Sequence, residues 1–360
     1  MIKEYFEEIR EPRQKGKVEH NLQEIIVMTI VAVMAGCEAW YQIHNYCKSK
    51  RKWFREKFGL KLKHGVASHD TFERVFALID PKQFEKCFAT WVGTLKEQTK
   101  QEIVAIDGKT IRASKGETRA IHMVSAWASK QKLVLAQVKT DEKTNEITAV
   151  PELLDLLDLE GCIVTADAMS CQKDIVEKIT EKKADYCIGL KGNQGTLRED
   201  VELYFKDFKP ANTYPTLEKG HGRIEIREYW LETDISWLWQ RNNWKNLNAI
   251  GCVHSKVIEG EKTTEETRYF ITSLTNVKTF AKAVREHWSI ENSLHWCLDM
   301  GFNEDRCRMR KDNSGENFAV IRHIALNLLK KDKSNMSIKA KRHRCAYDEN
   351  FLFKLITKGF

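Results

Sequence analysis

The sequence predicts an α/β protein: a mixed sheet with helices on both faces, interrupted by a β-rich insertion and preceded by an all-helical N-terminal domain. Three observations carry this reading. Apolar residues recur at helical spacing up to about residue 98. From residue 102 the period changes, and three strand-like runs follow one another across short polar turns. Helix-like and strand-like runs then alternate, the pattern of strands joined by covering helices.

In the N-terminal section, Leu22 to Ala35 is almost wholly apolar, and Trp40, Ile43 and Tyr46 continue at helical spacing. Ser68 stands before DTFERVFALI as an N-cap should. Asp80-Pro81-Lys82-Gln83 marks the next helix start, with a cap, a proline at the first helical position and a glutamine three residues after the cap. Between them, Lys48 to Lys63 holds eight Lys and Arg against one acid, Glu56, with Trp53, Phe54 and Phe58 interleaved. Such a helix either follows a phosphate backbone or is a solvated basic face packed by its aromatics.

The central section reads β-β-β-α-β-α-β. EIVAIDGKTIRA, AIHMVSAWAS and KLVLAQVKT are strands; a helix opened by Pro151 follows, then the strand CIVTADAM, a helix over Gln172 to Lys182, and the strand DYCIGLK. The right-handed crossover rule places CIVTAD beside the first strand. Residues 192–274 break the alternation with GNQGTLRED, four tryptophans (Trp230, Trp237, Trp239, Trp244) and further strand-like runs, hence the β-rich insertion. Lys278 to Met300 and Glu316 to Lys331 are helical in pattern. The domains expected are 1–98, 99–331 with the insertion at about 192–274, and a basic C-terminal tail over 332–360.

Composition narrows the function. At 360 residues the chain is long enough for two or three domains, and 42% hydrophobic with 31% charged residues excludes a largely disordered one. Fifty-nine Lys and Arg against 51 Asp and Glu leave a net charge of +8, which favours a polyanionic partner. Ten cysteines occur without any Cys-x-x-Cys pair, arguing against a zinc ribbon and for reduced core thiols in a cytoplasmic protein. The longest apolar run, Ile25 to Ala35, falls short of the ~20 residues of a membrane span.

Asp107 is the first residue that needs a chemical reason. A carboxylate ending the apolar run Ile103–Ile106 is costly unless it is paired or binds a cation. Asp167 repeats the pattern after Cys162–Val164, with a helix N-cap as its bland explanation. Two strand-terminal aspartates in adjacent strands repel unless a cation lies between them. A third acid has to come from elsewhere. Glu291 shares a helix face with His287 and His295 at four-residue spacing, and Asp299, Glu304 and Asp305 compete with it on spacing alone.

AIDGKTIRAS, NEITAVPELLDLLDLEGCIVTADAMSCQKDI, DYCIGLKGNQGTL, HGRIEIREY and HWSIENSLHWCLDMGFNEDRCRMR, in that order, resemble the H-repeat-associated group of DDE insertion-sequence transposases. HNLQEIIVMTIVAVMAG and SHDTFERVFALIDP are similar to the helical domain that accompanies it. The resemblance runs from about residue 10 to 331. It implies a ribonuclease-H-like core whose catalytic and metal-binding acids are Asp107, Asp167 and Glu291. It also implies two Mg²⁺ ions about 3.5–4 Å apart, with Mn²⁺ as a substitute, Asp107 bridging both and each other acid favouring one. The reaction implied is DNA strand cleavage and strand transfer at element ends, on double-stranded DNA, by a homodimer. The aromatic, arginine and lysine that commonly surround the third acid in the wider superfamily are replaced here by Val284, His287 and Leu298.

Candidate DNA contacts follow. Lys191, Asn193 and Gln194 end the last core strand. His221, Arg223 and Arg227 alternate with Glu225 on one strand face. Arg306, Arg308, Arg310 and Lys311 follow the Glu291 helix, and Lys109, Arg112, His287 and His295 lie near the acids. The insertion's aromatics either stack on a flipped base or belong to a core. Two alternatives remain at this point: a DNA-binding protein that has lost catalysis, and a ribonuclease-H-like nuclease that cuts without joining. A two-carboxylate glycosidase fits neither the charge nor the motif order.

Overall fold

The computed structural model describes residues 4–95, 101–115, 120–140, 146–220 and 222–359. Five helices come first: α1 Leu22–Met34, α2 Trp40–Ser49, α3 Arg51–Phe58, α4 His69–Leu78 and α5 Pro81–Leu95. Their starts are set by side chains that satisfy free backbone donors. Asn21 accepts from Glu24 N, Ser68 from Thr71 N, and Asp80 Oδ1 from Lys82 N at 2.9 Å. α1 is apolar on every side and is buried on nearly every side. In α3, Trp53, Phe54 and Phe58 face inward while Arg51, Lys52, Arg55 and Lys57 are exposed.

The sheet strands are β1 Ile103–Thr110, β2 His122–Ala128, β3 Leu133–Lys139, β4 Ile163–Ala166 and β5 Asp185–Leu190, with α6 Glu146–Asp155 before β4 and α7 Lys173–Glu181 before β5. They continue through α8 Gly195–Asp207 into β6 Thr213–Gly220, β7 Arg223–Glu232, β8 Ala249–Glu259 and β9 Lys262–Thr272. All nine form one sheet, in the order β3-β2-β1-β4-β5-β9-β8-β7-β6. β1, β4 and β5 are parallel to one another, and the other pairings are antiparallel. β4 lies beside β1, as the crossover rule requires.

The last helices are α9 Val277–His287, a π-helical turn Glu291–His295, α10 Trp296–Phe302, α11 Ser314–Lys331, α12 Ile338–Tyr347 and α13 Glu349–Gly359. Helices cover both sheet faces. Ile103, Ile163 and Cys187 pack with Phe280 and Val284 of α9. Their strand neighbours Val104, Val164 and Ile188 join Leu153 of α6 and Ile175 of α7 in a second core. That second core runs without a break into the N-terminal helices, because α11 packs on α1, α4, α5 and β3. Among the described residues no helix is long and apolar enough to cross a membrane.

Three expectations differ. Pro151 lies inside α6 rather than at its start, since the helix already runs from Glu146 and loses only the one N–H that proline lacks. The insertion opens with a helix, and its four strands extend the main sheet through the β5–β9 pairing, because β5 would otherwise end as an unpaired edge. Residues 338–359 are not a basic tail but two packed helices, in which Lys341 and Arg342 are buried. Arg342 is tolerated there because its guanidinium donates to Val33 O, Gly301 O and Glu38 Oε1, the first two near the ends of α1 and α10.

Candidate catalytic cleft

Asp107 and Asp167 meet through strand register. β1 and β4 pair in parallel, with Ile106 opposite Ala166 as the last pair, and each aspartate is the next residue on its strand. Asp167 therefore follows the carboxyl end of β4, while Asp107 lies within β1, which runs on to Thr110 beside β2, at the point where its pairing with β4 stops; neighbouring strands are about 4.8 Å apart in the sheet direction. Alternation along β1 puts Asp107 on the same face as Ile103, the face that α9 covers.

Glu291 arrives on the helix that covers that face. After α9 the helical run passes Trp288 and enters the π-turn, a rare local geometry. Polar contacts hold this run to the strands on either side of Glu291. His287 Nδ1 lies 3.1 Å from Thr165 Oγ1 on β4, and Trp127 Nε1 of β2 donates to Ser289 Oγ at 3.1 Å. His295 Nδ1 lies 3.6 Å from Asp107 Oδ2, while Ile290 and Leu294 are fully buried beneath.

The three acids line one cleft of about 600 Å³. A roomier hollow of about 930 Å³, between α5 and the loop from α6 to β4, has none of them on its wall. Asp107 is pushed up to about 7 by burial first and then by the charges of Glu146, Glu291 and Asp167, against a backbone hydrogen bond from Gly108. Like charges and low dielectric thus act on the same group. Asp167 also caps the turn Ala168–Ser170, accepting from Met169 N at 2.9 Å, so its N-cap role and its place in the cleft coexist.

As a donor set, three carboxylates suit a hard divalent cation, whose charge would offset their repulsion. Among the described residues, no three His, Cys, Asp or Glu side chains stand close enough to enclose a single ion. The acids therefore line a common cleft rather than a closed cage.

Around them the expected contacts divide. Lys191 is exposed on the cleft wall. Arg112 is 84% exposed beside Asp305 at 3.4 Å. Arg306, which ends the turn Glu304–Arg306, and Arg308 and Arg310, which follow it, are exposed while the alternate residues Cys307 and Met309 are buried; Arg310 donates to Ala113 O at 2.8 Å. Other candidates are engaged within the chain. Asn193 Nδ2 donates to Ala168 O at 2.7 Å and Gln194 Nε2 to Cys171 O at 2.9 Å, bracing the turn that follows Asp167. Arg223 and Arg227 both pair with Glu225, which offsets part of the positive charge on that strand face. His287 and His295 are each lowered to about 4, chiefly by burial, and are neutral near pH 7. Lys109 is enclosed by Asp299, Glu304 and Asp305, so these three competing acids are turned to an ammonium. His221 lies outside the described residues.

Four features in or behind the cleft went unread in the sequence. Glu146, at the start of α6, accepts a hydrogen bond from His122 Nε2 at 2.7 Å, and its charge acts on Asp107. Gly108 makes room for that pair, since a Cβ there would lie 2.1 Å from Glu146 Oε1. Arg198 of α8 and Arg268 of β9 also line the cleft, Arg198 paired with Glu202 at 3.2 Å and Arg268 with Glu266 at 2.7 Å, and Arg268 stacks 4.7 Å over Trp288. None of the four tryptophans of the insertion lines this cleft; Trp288 does. Trp244 is buried and Trp239 is 88% exposed.

Known proteins resemble the chain along nearly its whole length. A family model described as "Transposase DDE domain" matches residues 98–328, and one described as "DDE_Tnp_1-associated" matches residues 3–92. The "H repeat-associated putative transposase YhhI" of Escherichia coli K12 is 40% identical over 99% of this chain and 97% of its own length. A "Putative transposase YncI" of Escherichia coli O157:H7 is 41% identical over 98% of this chain and 93% of its own. A piggyBac transposase synaptic complex with hairpin DNA aligns over 99% of this chain and 77% of its own at a TM-score of 0.41 and 11% identity, too weak a likeness to carry the fold. On the family matches and the full-length relatives, the chain belongs to the DDE transposases, in their H repeat-associated group.

Proposed function

We propose that the chain is an insertion-sequence DNA transposase that cuts and rejoins DNA strands at element ends, with Asp107, Asp167 and Glu291 as its metal-binding catalytic acids. The β3-β2-β1-β4-β5 half of the sheet, with β2 antiparallel, supports a ribonuclease-H-like core. The single observation that carries the reading is the convergence of three acids from β1, the end of β4 and the π-turn on one cleft, with Asp107 burdened by both partners.

Bound Mg²⁺ or Mn²⁺ would supply activation of the attacking oxygen and stabilisation of the leaving one. The chain's own residues do the rest. Asp107, fixed by β1, would hold the metal together with Asp167 and Glu291 on either side of it. Neutral His287 and His295 hold the Glu291 helix without adding positive charge that would compete with the metal. Lys191, Arg198 and Arg268 face the phosphates of a strand lying in the cleft, and Arg112, Arg306, Arg308 and Arg310 grip flanking duplex. Double-stranded DNA is the substrate, and two copies of the chain act on paired ends.

The test is cleavage of a duplex carrying the element's own ends, in Mg²⁺ or Mn²⁺, by the wild type and by Asp107→Asn. Cleavage and joined products from the wild type alone support the proposal. Cleavage without joining favours the nuclease reading. DNA binding without cleavage by either protein favours a silent DNA-binding protein, and equal cleavage by both removes Asp107 from the site.

A further inference from the structure

Lys109 stands two residues beyond Asp107 on β1, so the two side chains leave the same face of the strand. Its ammonium lies 2.7 Å from Asp299 Oδ1, 3.0 Å from Glu304 Oε2 and 3.4 Å from Asp305 Oδ1, and its side chain is 12% exposed. Asp299 belongs to α10, eight residues after Glu291 in the same helical run. Glu304 is itself buried and reaches Arg322 of α11 at 3.6 Å, which ties the cluster to the core. A phosphate would have to approach one ammonium through three carboxylates, so Lys109 is poorly placed to bind DNA.

We propose that Lys109 is a positioning residue that sets the depth of Glu291 over Asp107 by latching α10 to β1. The proposal rests on the catalytic role of Glu291 given above. On the N-terminal side of Glu291 the run is held by the Thr165–His287 and Trp127–Ser289 contacts. On the C-terminal side, the ionic contact of Lys109 with Asp299 supplements the longer approach of His295 to Asp107. A π-turn lies between the two sets of contacts, and its hydrogen-bond geometry is less regular than an α-helix's. Loss of the Lys109 latch removes the short ionic tie between α10 and β1 and leaves only the His295 approach and apolar packing, through Leu298 and Phe302, to set the position of that side of the turn. The acid then remains present but misplaced.

The test uses the full-length chain with Lys109→Met, Asp299→Asn and the double variant, and Arg308→Ala as a phosphate-contact control. Asp299→Asn leaves Lys109 its Glu304 and Asp305 partners, so it keeps the fold even if Lys109→Met does not; thermal melting checks this. Three quantities are read: Mn²⁺ affinity by calorimetry without DNA, DNA affinity across a salt series, and kcat against KM for cleavage. The expected result is about tenfold weaker Mn²⁺ binding and a lower kcat in both single variants. KM and the salt slope stay at the wild-type value, and the double variant is no worse than Lys109→Met. Arg308→Ala instead flattens the salt slope by about 0.9. A flattened slope in Lys109→Met makes it a phosphate ligand and overturns the proposal, as do unchanged Mn²⁺ affinity and kcat in Asp299→Asn. Failure of the wild type to bind Mn²⁺ would instead overturn the metal reading on which the proposal rests.

Discussion

Asp107→Asn is expected to make the metal-free protein more stable at alkaline pH, although it abolishes the proposed chemistry. Burial, with Glu146, Glu291 and Asp167 close by, raises the Asp107 carboxyl from an ordinary 3.8 to about 7. Between roughly pH 4 and pH 7 the folded chain therefore keeps a proton that the unfolded chain has released. The stability contributed by Asp107 is full in acid and is lost as pH rises through about 7. At about 1.4 kcal/mol for each pKa unit, the ceiling on that loss is roughly 4 kcal/mol. Asp107 is 22% exposed, so water screens part of the effect, and about 1–2 kcal/mol is the realistic figure. Asparagine has no proton to lose and escapes the penalty. Urea unfolding of both proteins in EDTA at pH 5 and pH 8.5 reads the effect of Asp107 with its coupling to Glu146, Glu291 and Asp167, because groups away from the cleft titrate alike in the pair. The variant's lead should be small at pH 5, where only about a third of the difference has accrued, and full at pH 8.5. Added Mn²⁺ should stabilise the wild type and not the variant. A variant less stable than wild type at pH 8.5 without metal would refute the electrostatic reasoning.

Other predictions concern packing and DNA. Gly251→Ala sets a Cβ 2.3 Å from the ring of Phe280, which is fully buried on α9, and should cost about 1–3 kcal/mol in urea unfolding; an unchanged midpoint would show that the ring can yield. Arg342→Ala leaves Glu38 and the carbonyls of Val33 and Gly301 without their shared donor and should cost about 3–5 kcal/mol. Lysine should not restore it, since one ammonium cannot reproduce the fork, and full recovery by lysine would contradict this role for the guanidinium. The pair Arg306→Ala and Arg308→Ala should weaken DNA binding about equally for all sequences and flatten its salt dependence by up to about 0.9 for each phosphate no longer neutralised. Sequence-selective weakening, measured on element ends against random duplex, would count against a phosphate role.

Much of this could be read from the sequence because strand and helix patterns are local. β1 to β5, the caps at Ser68 and Asp80, and the place of β4 beside β1 follow from periodicity, capping chemistry and crossover handedness. Asp107 and Asp167 stood out because a carboxylate at the end of an apolar strand needs a reason. What stayed hidden depends on residues far apart in the chain. Lys109 and Arg268 are both cations in polar surroundings, and only the fold shows that one is enclosed by acids while the other faces the cleft. Glu146 opens a helix with nothing around it to single it out until His122 and Gly108 are brought to it. Arg342 read as part of a basic tail because its partners lie 309, 304 and 41 residues away. The π-turn has no period in the sequence that separates it from the α-helix on either side.

The most direct test of the central claim, that Asp107, Asp167 and Glu291 serve one metal centre, is to map that centre on the polypeptide. Fe²⁺ loaded in place of Mg²⁺, with ascorbate and peroxide, generates radicals that cut the backbone near the bound ion. A shared centre predicts cuts around residues 107, 167 and 291 in the same sample, suppressed by excess Mg²⁺ and lost in Asp107→Asn. Cuts confined to one of the three segments, cuts elsewhere in the chain, or an unchanged pattern in the variant would contradict it.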